Sequence, residues 1–279
     1  MDMFARSTPN FNDLPELWHG TYAGILLREA PRPTFIGQMV EFCPPRLYSA
    51  RAPAGEPVAR PVCIPSRVTV ELKVAQTFYI HPQNPQLRLI NQAVDMIRDG
   101  GVVVFPTDSA YAIGCHLGDK AALERIRRIR QLDKHHNFTL LCRDLSELAS
   151  YARVNNQVFR LLKANTPGAY TFILEATSEV PRRLMHAKRK TIGLRVPDHA
   201  IVQALLAQLD EPLMSVTLIM PGDTYPLTDP QDIRDLLEKR VDLIIDGGFC
   251  GLEATTVIDL TGDTPHITRA GMGDVAVFQ

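Results

Sequence analysis

Ten of the 21 prolines lie in residues 1–73, and the 206 residues that follow hold the other eleven. Proline removes a backbone donor and blocks helix interiors, so neither a long helix nor a central strand fits the first segment. Its apolar residues keep no sustained period of 2 or 3.6. Residues 1–73 therefore read as a proline-rich, mostly unstructured extension. A misassigned upstream start, with Val74 as the initiator, gives the same pattern, and a short accessory module around Leu17–Leu27 is the alternative. The folded domain is placed at 74–279, long enough to bury a core.

From Thr77 the pattern changes. Thr77–Ile80 reads as a short strand; Ile90, Val94 and Ile97 sit at helical spacing and Gly100-Gly101 ends that helix. Val102–Phe105 reads as a buried strand, followed by a loop over Pro106–Gly114. Asp119 opens a helix carrying Leu123, Ile126 and Ile129. Phe138–Cys142 reads as a strand, and Asp144-x-x-Glu147 resembles a capping box. Five more strand-like runs are Tyr170–Leu174, Ile192–Val196, Leu213–Met220, Val241–Ile245 and Thr256–Leu260. Helices fall between several of them, at Asn156–Lys163, Ala200–Leu209 and Pro230–Lys239. Strands alternating with helices predict an α/β domain, a mostly parallel or mixed sheet flanked by helices.

Several function classes drop out. Apolar residues make up 45% and charged residues 22%, as in an ordinary globular protein, and the net charge of −1 gives no global field for nucleic acid. No apolar run approaches the ~18 residues that span a bilayer. Cys43, Cys63, Cys115, Cys142 and Cys250 lie far apart without zinc-ligand spacing, which predicts reduced thiols, a cytoplasmic protein and no metal site. Residues 1–6 lack the pattern of a secretory signal. Gly114–Lys120 has three residues between its glycines where a P-loop has four, and Asp119 stands where glycine precedes lysine, so it is rejected as one.

What remains is a set of strand-end segments. Pro106–Gly114 follows a buried strand, where open α/β sheets bind ligands, and its hydroxyls suit an anion or an amino-acid carboxylate; Pro-Thr-Asp-Ser is equally a common turn. Arg125, Arg127, Arg128, Arg130, Lys134, His135 and His136 run off a helix into a loop. They read either as a solvated face or as a phosphate-binding cluster. Lys188-Arg189-Lys190, with Arg182 and Arg183 before it, is a second basic patch.

These segments also resemble a known family. Pro106–Gly114 looks like the Pro-Thr-Glu-Thr-x-Tyr-Gly-x-Gly signature of the YrdC-like domain. Pro167-Gly168-Ala169-Tyr170-Thr171, Arg195-Val196-Pro197, Thr255-Thr256-Val257-Ile258-Asp259 and Arg269-Ala270-Gly271 resemble its later motifs in the same order. The resemblance covers about residues 76–279 and is nearest the YciO subgroup, through Phe78–Pro82 and Ile129–Leu132. It implies a twisted sheet around a large concave basic cavity. The activity implied is threonylcarbamoyl-adenylate synthesis from L-threonine, bicarbonate and Mg-ATP, linked to tRNA modification. Double-stranded RNA or tRNA is the further partner implied, and a non-catalytic RNA binder with a degenerate site is the alternative.

Carried onto this sequence, the resemblance assigns Thr107, Asp108, Tyr111, Thr171 and Arg195 to the amino acid. Arg130, His136, Asn137, Ser215, Thr217, Thr256 and Arg269 go to the nucleotide. Arg130, Thr107 and Arg195 are the catalytic set, and Arg125, Arg128, Lys188, Arg189 and Lys190 are the RNA contacts. The chain departs from the synthase pattern at Leu132, where the family has a second basic residue, and at Ile219, where it has asparagine. Both changes point to weakened or altered catalysis. Arg130 is expected to be an exposed charge at a helix end.

Overall fold

Hydrophobic periodicity sets in at Thr77, and the described structure opens just before it. The computed structural model describes residues 74–133, 136–186 and 188–278, so the expectations for 1–73, for Lys134 and for His135 lie outside the described residues. Apolar and β-branched runs form β1 (Gln76–Tyr79), β2 (Val103–Phe105), β3 (Ala112–His116), β4 (Thr139–Leu141) and β5 (Tyr170–Glu175). They continue as β6 (Thr191–Arg195), β7 (Leu213–Thr217), β8 (Leu243–Asp246), β9 (Thr256–Asp259) and β10 (His266–Arg269). All ten lie in one sheet in the order β1-β8-β2-β3-β7-β4-β6-β5-β9-β10. The pairs β1–β8, β2–β8, β4–β6 and β5–β9 are parallel and the others antiparallel, so the sheet is mixed.

The helices are α1 (Leu87–Arg98), α2 (Lys120–Arg130), α3 (Leu145–Tyr151), α4 (Asn156–Asn165), α5 (Ala200–Leu209) and α6 (Pro230–Leu237). Their starts follow local chemistry. Asp119, Asp144, Asn155 and Asp229 each accept a backbone N–H of the first turn, at 2.8–2.9 Å. The expected capping box closes one residue early: Glu147 Oε2 accepts the N–H of Arg143, at 2.5 Å, and not that of Asp144. The segment that faintly resembles a P-loop is the turn into α2, and its N-terminus is filled by the Asp119 carboxylate.

The core forms on both faces of the sheet. Val102 and Val104 join one apolar cluster, with Ile126 and Ile129 of α2 and with Phe138 and Phe172. Val103 and Phe105 join the other, with Ile90 and Ile97 of α1 and Leu205 and Leu206 of α5. That two-sided burial is why Val102–Phe105 is an unbroken apolar run. The helices of the second cluster cover the β1-side half of the sheet. On the β10-side half, the same face carries a cavity in place of a helix.

Three sequence expectations change. Pro106–Gly114 is not all loop, because β3 starts at Ala112. A Cβ at Gly114 would lie 2.6 Å from the carbonyl oxygen of Met214, so a glycine there lets β3 and β7 approach. The run Leu213–Met220 stops pairing at Thr217, where Leu218 instead donates to the carbonyl of Tyr111. β10 was absent from the sequence reading because its mostly exposed edge position leaves no apolar period to see.

Candidate functional site

Period-two alternation builds the cavity floor. Thr139 on β4, Thr171 on β5, Thr191, Gly193 and Arg195 on β6, and Ser215 and Thr217 on β7 occupy alternate positions on one face. With Thr255 they enclose about 300 Å³. Arg130, Arg189, Arg195 and Arg269 also line the space, with no acidic side chain in the lining. A hydroxyl-rich floor under four guanidinium groups suits an anionic ligand.

At one side the chemistry is locked. Arg195 is buried, 6% exposed, and its guanidinium pairs with Asp108 Oδ1. Burial lowers the proton affinity of Arg195, and the adjacent Asp108 opposes that effect. Thr107 lines the cavity, but its hydroxyl donates to the carbonyl of Ala110 at 2.6 Å and accepts the N–H of Ser109 and of Ala110. It shapes the turn, and Ser109 stands beside it with Oγ 3.2 Å away. Tyr111 lines the wall, and its buried hydroxyl donates to Gly248 O at 2.8 Å.

A second network holds the β9 side. Thr171 Oγ1 and Thr255 Oγ1 are 2.8 Å apart, and Arg269 donates twice to the Thr255 carbonyl, at 2.8 and 3.1 Å. Thr256, the neighbour selected from sequence, does not line the cavity. Its hydroxyl donates to Gly273 O at 2.6 Å and accepts the N–H of Gly271 at 3.0 Å. Strand alternation sends one of two adjacent threonines inward and one outward. The period-two run of hydroxyls across four strands was the signal for Thr139, Thr191 and Thr255.

Arg130 ends α2, which closes through Gln131 in the left-handed region at φ 50°. The expectation of an exposed charge is corrected: Arg130 is half-buried in the cavity wall and its buried Nε has no partner among the described residues. Burial lowers its proton affinity. His136 and Asn137 stand at the rim. Partial desolvation, then Arg130 and Arg127, lower the proton affinity of His136.

Other selected residues fall elsewhere. Arg125 pairs with Asp242 at 2.5 Å and donates to Arg240 O; Arg128 donates to Glu124 O. Neither lines the cavity. Both serve the outer face of α2 because Ile126 and Ile129 turn inward. Leu132 packs against the core, while Ile219 lines the cavity, so the two departures from the family pattern do not flank one site. In the exposed triplet Lys188-Arg189-Lys190, Arg189 reaches the cavity and pairs with Asp259 at 3.3 Å.

Comparison with known proteins bears on this arrangement. The Sua5/YciO/YrdC family model, which carries the description "Telomere recombination", matches residues 95–271. The chain is 62% identical to YciO of Escherichia coli K12 over 205 residues, 74% of this chain and all of that protein. The chain belongs to the Sua5/YciO/YrdC family. The crystal structure of E. coli YciO matches with a TM-score of 0.72, over 74% of this chain and all of that one. More distant members of the family include threonylcarbamoyl-AMP synthase of Vibrio vulnificus YJ016, 29% identical over 161 residues, 57% of this chain and 86% of that one. P. abyssi Sua5 complexed with L-threonine is 25% identical with a TM-score of 0.65, over 70% of this chain and 57% of that one. The mixed sheet is thus the Sua5/YciO/YrdC fold. Among the described residues, no helix is long and apolar enough to cross a membrane.

Proposed function

We propose that the cavity takes L-threonine, bicarbonate and Mg-ATP and forms threonylcarbamoyl-adenylate, releasing pyrophosphate, as a step toward tRNA modification. The observation that carries this reading is Arg130, a half-buried guanidinium in the cavity wall whose buried Nε has no partner among the described residues. Such a group favours an anionic ligand. On this reading Arg130, with His136 and Asn137 at the rim, faces the triphosphate, and Ser215, Thr217 and Arg269 complete the nucleotide side. Arg195, positioned by Asp108, takes the threonine carboxylate beside Thr107, Tyr111 and Thr171.

The amino group of threonine and bicarbonate give a carbamate and water. The carbamate oxygen attacks the α-phosphorus of ATP, and pyrophosphate leaves. The protein supplies placement and charge neutralisation, with no covalent intermediate. Magnesium enters with the nucleotide and neutralises its phosphates. The V. vulnificus synthase and the threonine-bound P. abyssi Sua5 support the substrate class. Ile219 in the wall, where the synthase pattern has an amide, points to slower turnover than in that pattern.

The test is pyrophosphate release across the amino acids, with and without bicarbonate and tRNA. Release that requires both threonine and bicarbonate is expected; release indifferent to either overturns the reading. A non-catalytic RNA binder is favoured by one observation, the exposed Lys188-Arg189-Lys190 triplet whose middle residue reaches the cavity. That reading gives RNA affinity falling steeply with salt and no turnover.

A further inference from the structure

Of the guanidinium groups around the cavity, Arg130 ends α2, Arg195 lies on β6 and Arg269 on β10, while Arg189 stands on the turn before β6. Its ion pair with Asp259, at 3.3 Å, faces solvent, with the Arg189 side chain 62% exposed. An exposed pair holds a side chain weakly. The turn itself is held by a histidine. His186 Nδ1 accepts the backbone N–H of Arg189 at 3.1 Å and that of Lys188 at 3.3 Å. The backbone of the same residue closes the turn: His186 N–H donates to Thr191 O at 2.8 Å, and Lys190 N–H donates to His186 O at 2.9 Å. Lys190 lies in the left-handed region at φ 55°, which costs a non-glycine residue and persists only where its surroundings hold it. His186 and Thr191 both line the cavity, so the turn is fastened at two points of the wall. A ring nitrogen that accepts carries no proton, so the proton of the neutral imidazole sits on Nε2.

We infer that His186 is a positioning residue: its Nδ1 fastens the backbone of Lys188 and Arg189 and so holds the Arg189 guanidinium in the cavity wall, where it meets an anionic ligand. Without that acceptor both N–H groups turn to solvent, and the left-handed backbone at Lys190 has less to hold it. Arg189 then keeps only its exposed pair with Asp259. The link to the nucleotide rests on the function proposed above; the hold of His186 on the turn does not.

The experiment uses variants that part the two ring nitrogens. Asparagine places an oxygen near the Nδ1 position and nothing at Nε2; glutamine places its amide near Nε2 and leaves Nδ1 empty. Full-length wild type, His186→Asn, His186→Gln, Arg189→Ala and the double variant of the last two are titrated with Mg-ATP by calorimetry. His186→Gln and Arg189→Ala are each expected to bind about fivefold more weakly, the upper end for an exposed charge contact, and His186→Asn to stay close to wild type. The double variant is expected to lose no more than Arg189→Ala, since His186 acts through that residue. Wild-type affinity in His186→Gln, a loss in His186→Asn instead, or additive losses in the double variant overturns the proposal. Long-range ¹H–¹⁵N correlation on ¹⁵N-histidine-labelled wild type at pH 7.5 is the second readout, with His186 assigned by its missing signal in His186→Asn. An Nε2–H tautomer is expected, and an Nδ1–H tautomer overturns the proposal even where His186→Gln fails to fold. A wild type that binds no Mg-ATP overturns the function proposed above, and the tautomer then decides the inference alone.

Discussion

Arg130 has given up part of its hydration, and its buried Nε has no partner among the described residues. A cation in that state adds little to folding and a good deal to anion binding. Arg130→Met keeps the stem and removes the charge. It should leave the urea midpoint unchanged or slightly raised, while ATP affinity falls by about 1.5–3 kcal/mol, roughly ten- to a hundredfold. Arg130→Lys should recover only part, since the planar fork is lost. Isothermal titration of ATP against the three proteins checks this, and equal affinities would remove Arg130 from the site. Arg195 contrasts with it, being just as much a guanidinium but already neutralised by Asp108.

On β6, Gly193 lies between Thr139 of β4 and Ile173 of β5 and lines the cavity. An added Cβ would come within 3.2 Å of Thr139 Oγ1 and 3.4 Å of Thr171 Cγ2. Those side chains must give by a few tenths of an ångström, and the new methyl takes space from the floor. Gly193→Ala should weaken threonine binding by about 1–3 kcal/mol, as overpacking does, with a smaller loss of thermal stability. Threonine titration and a melting curve on the same samples test it. Unchanged affinity would mean that the ligand does not rest on β6. The same geometry explains why one strand carries so much of the site. Its alternate residues Thr191, Gly193 and Arg195 face the cavity while Ile192 and Leu194 seal the core behind them.

Across the molecule, acid stability follows the histidines. His199 and His136 are both held below the ordinary imidazole value of about 6.5, chiefly by burial. The unfolded chain therefore takes up protons near pH 6.5 that the folded chain refuses, so stability falls as pH drops through that value. The loss levels off once the folded pKa values are passed. Glu147, held above the usual carboxylate range by burial, acts in the opposite sense at lower pH. Urea midpoints at pH 8, 6.5 and 5.5 should decline in that order, and His199→Asn should flatten part of the decline. A midpoint that rises on acidification would contradict the burial of these rings.

Local sequence specifies most of the elements, and the order of the motifs specifies the family. Ile126 and Ile129 at helical spacing, Asp119 before its helix, and the apolar run Val102–Phe105 are local chemistry, and each became the expected element. The ordered motifs around Thr107, Thr171, Arg195 and Arg269 meet at one cavity, since strand ends are marked by the residues next to them. Only the tertiary structure decided which of those groups are free. Arg125 is taken by Asp242, 117 positions away, and Arg195 by Asp108, 87 positions away. Leu132 packs against the core, and Thr255, not Thr256, lines the cavity. A polar side chain's availability depends on what the fold sets against it, and those partners come from strands and helices distant in the chain.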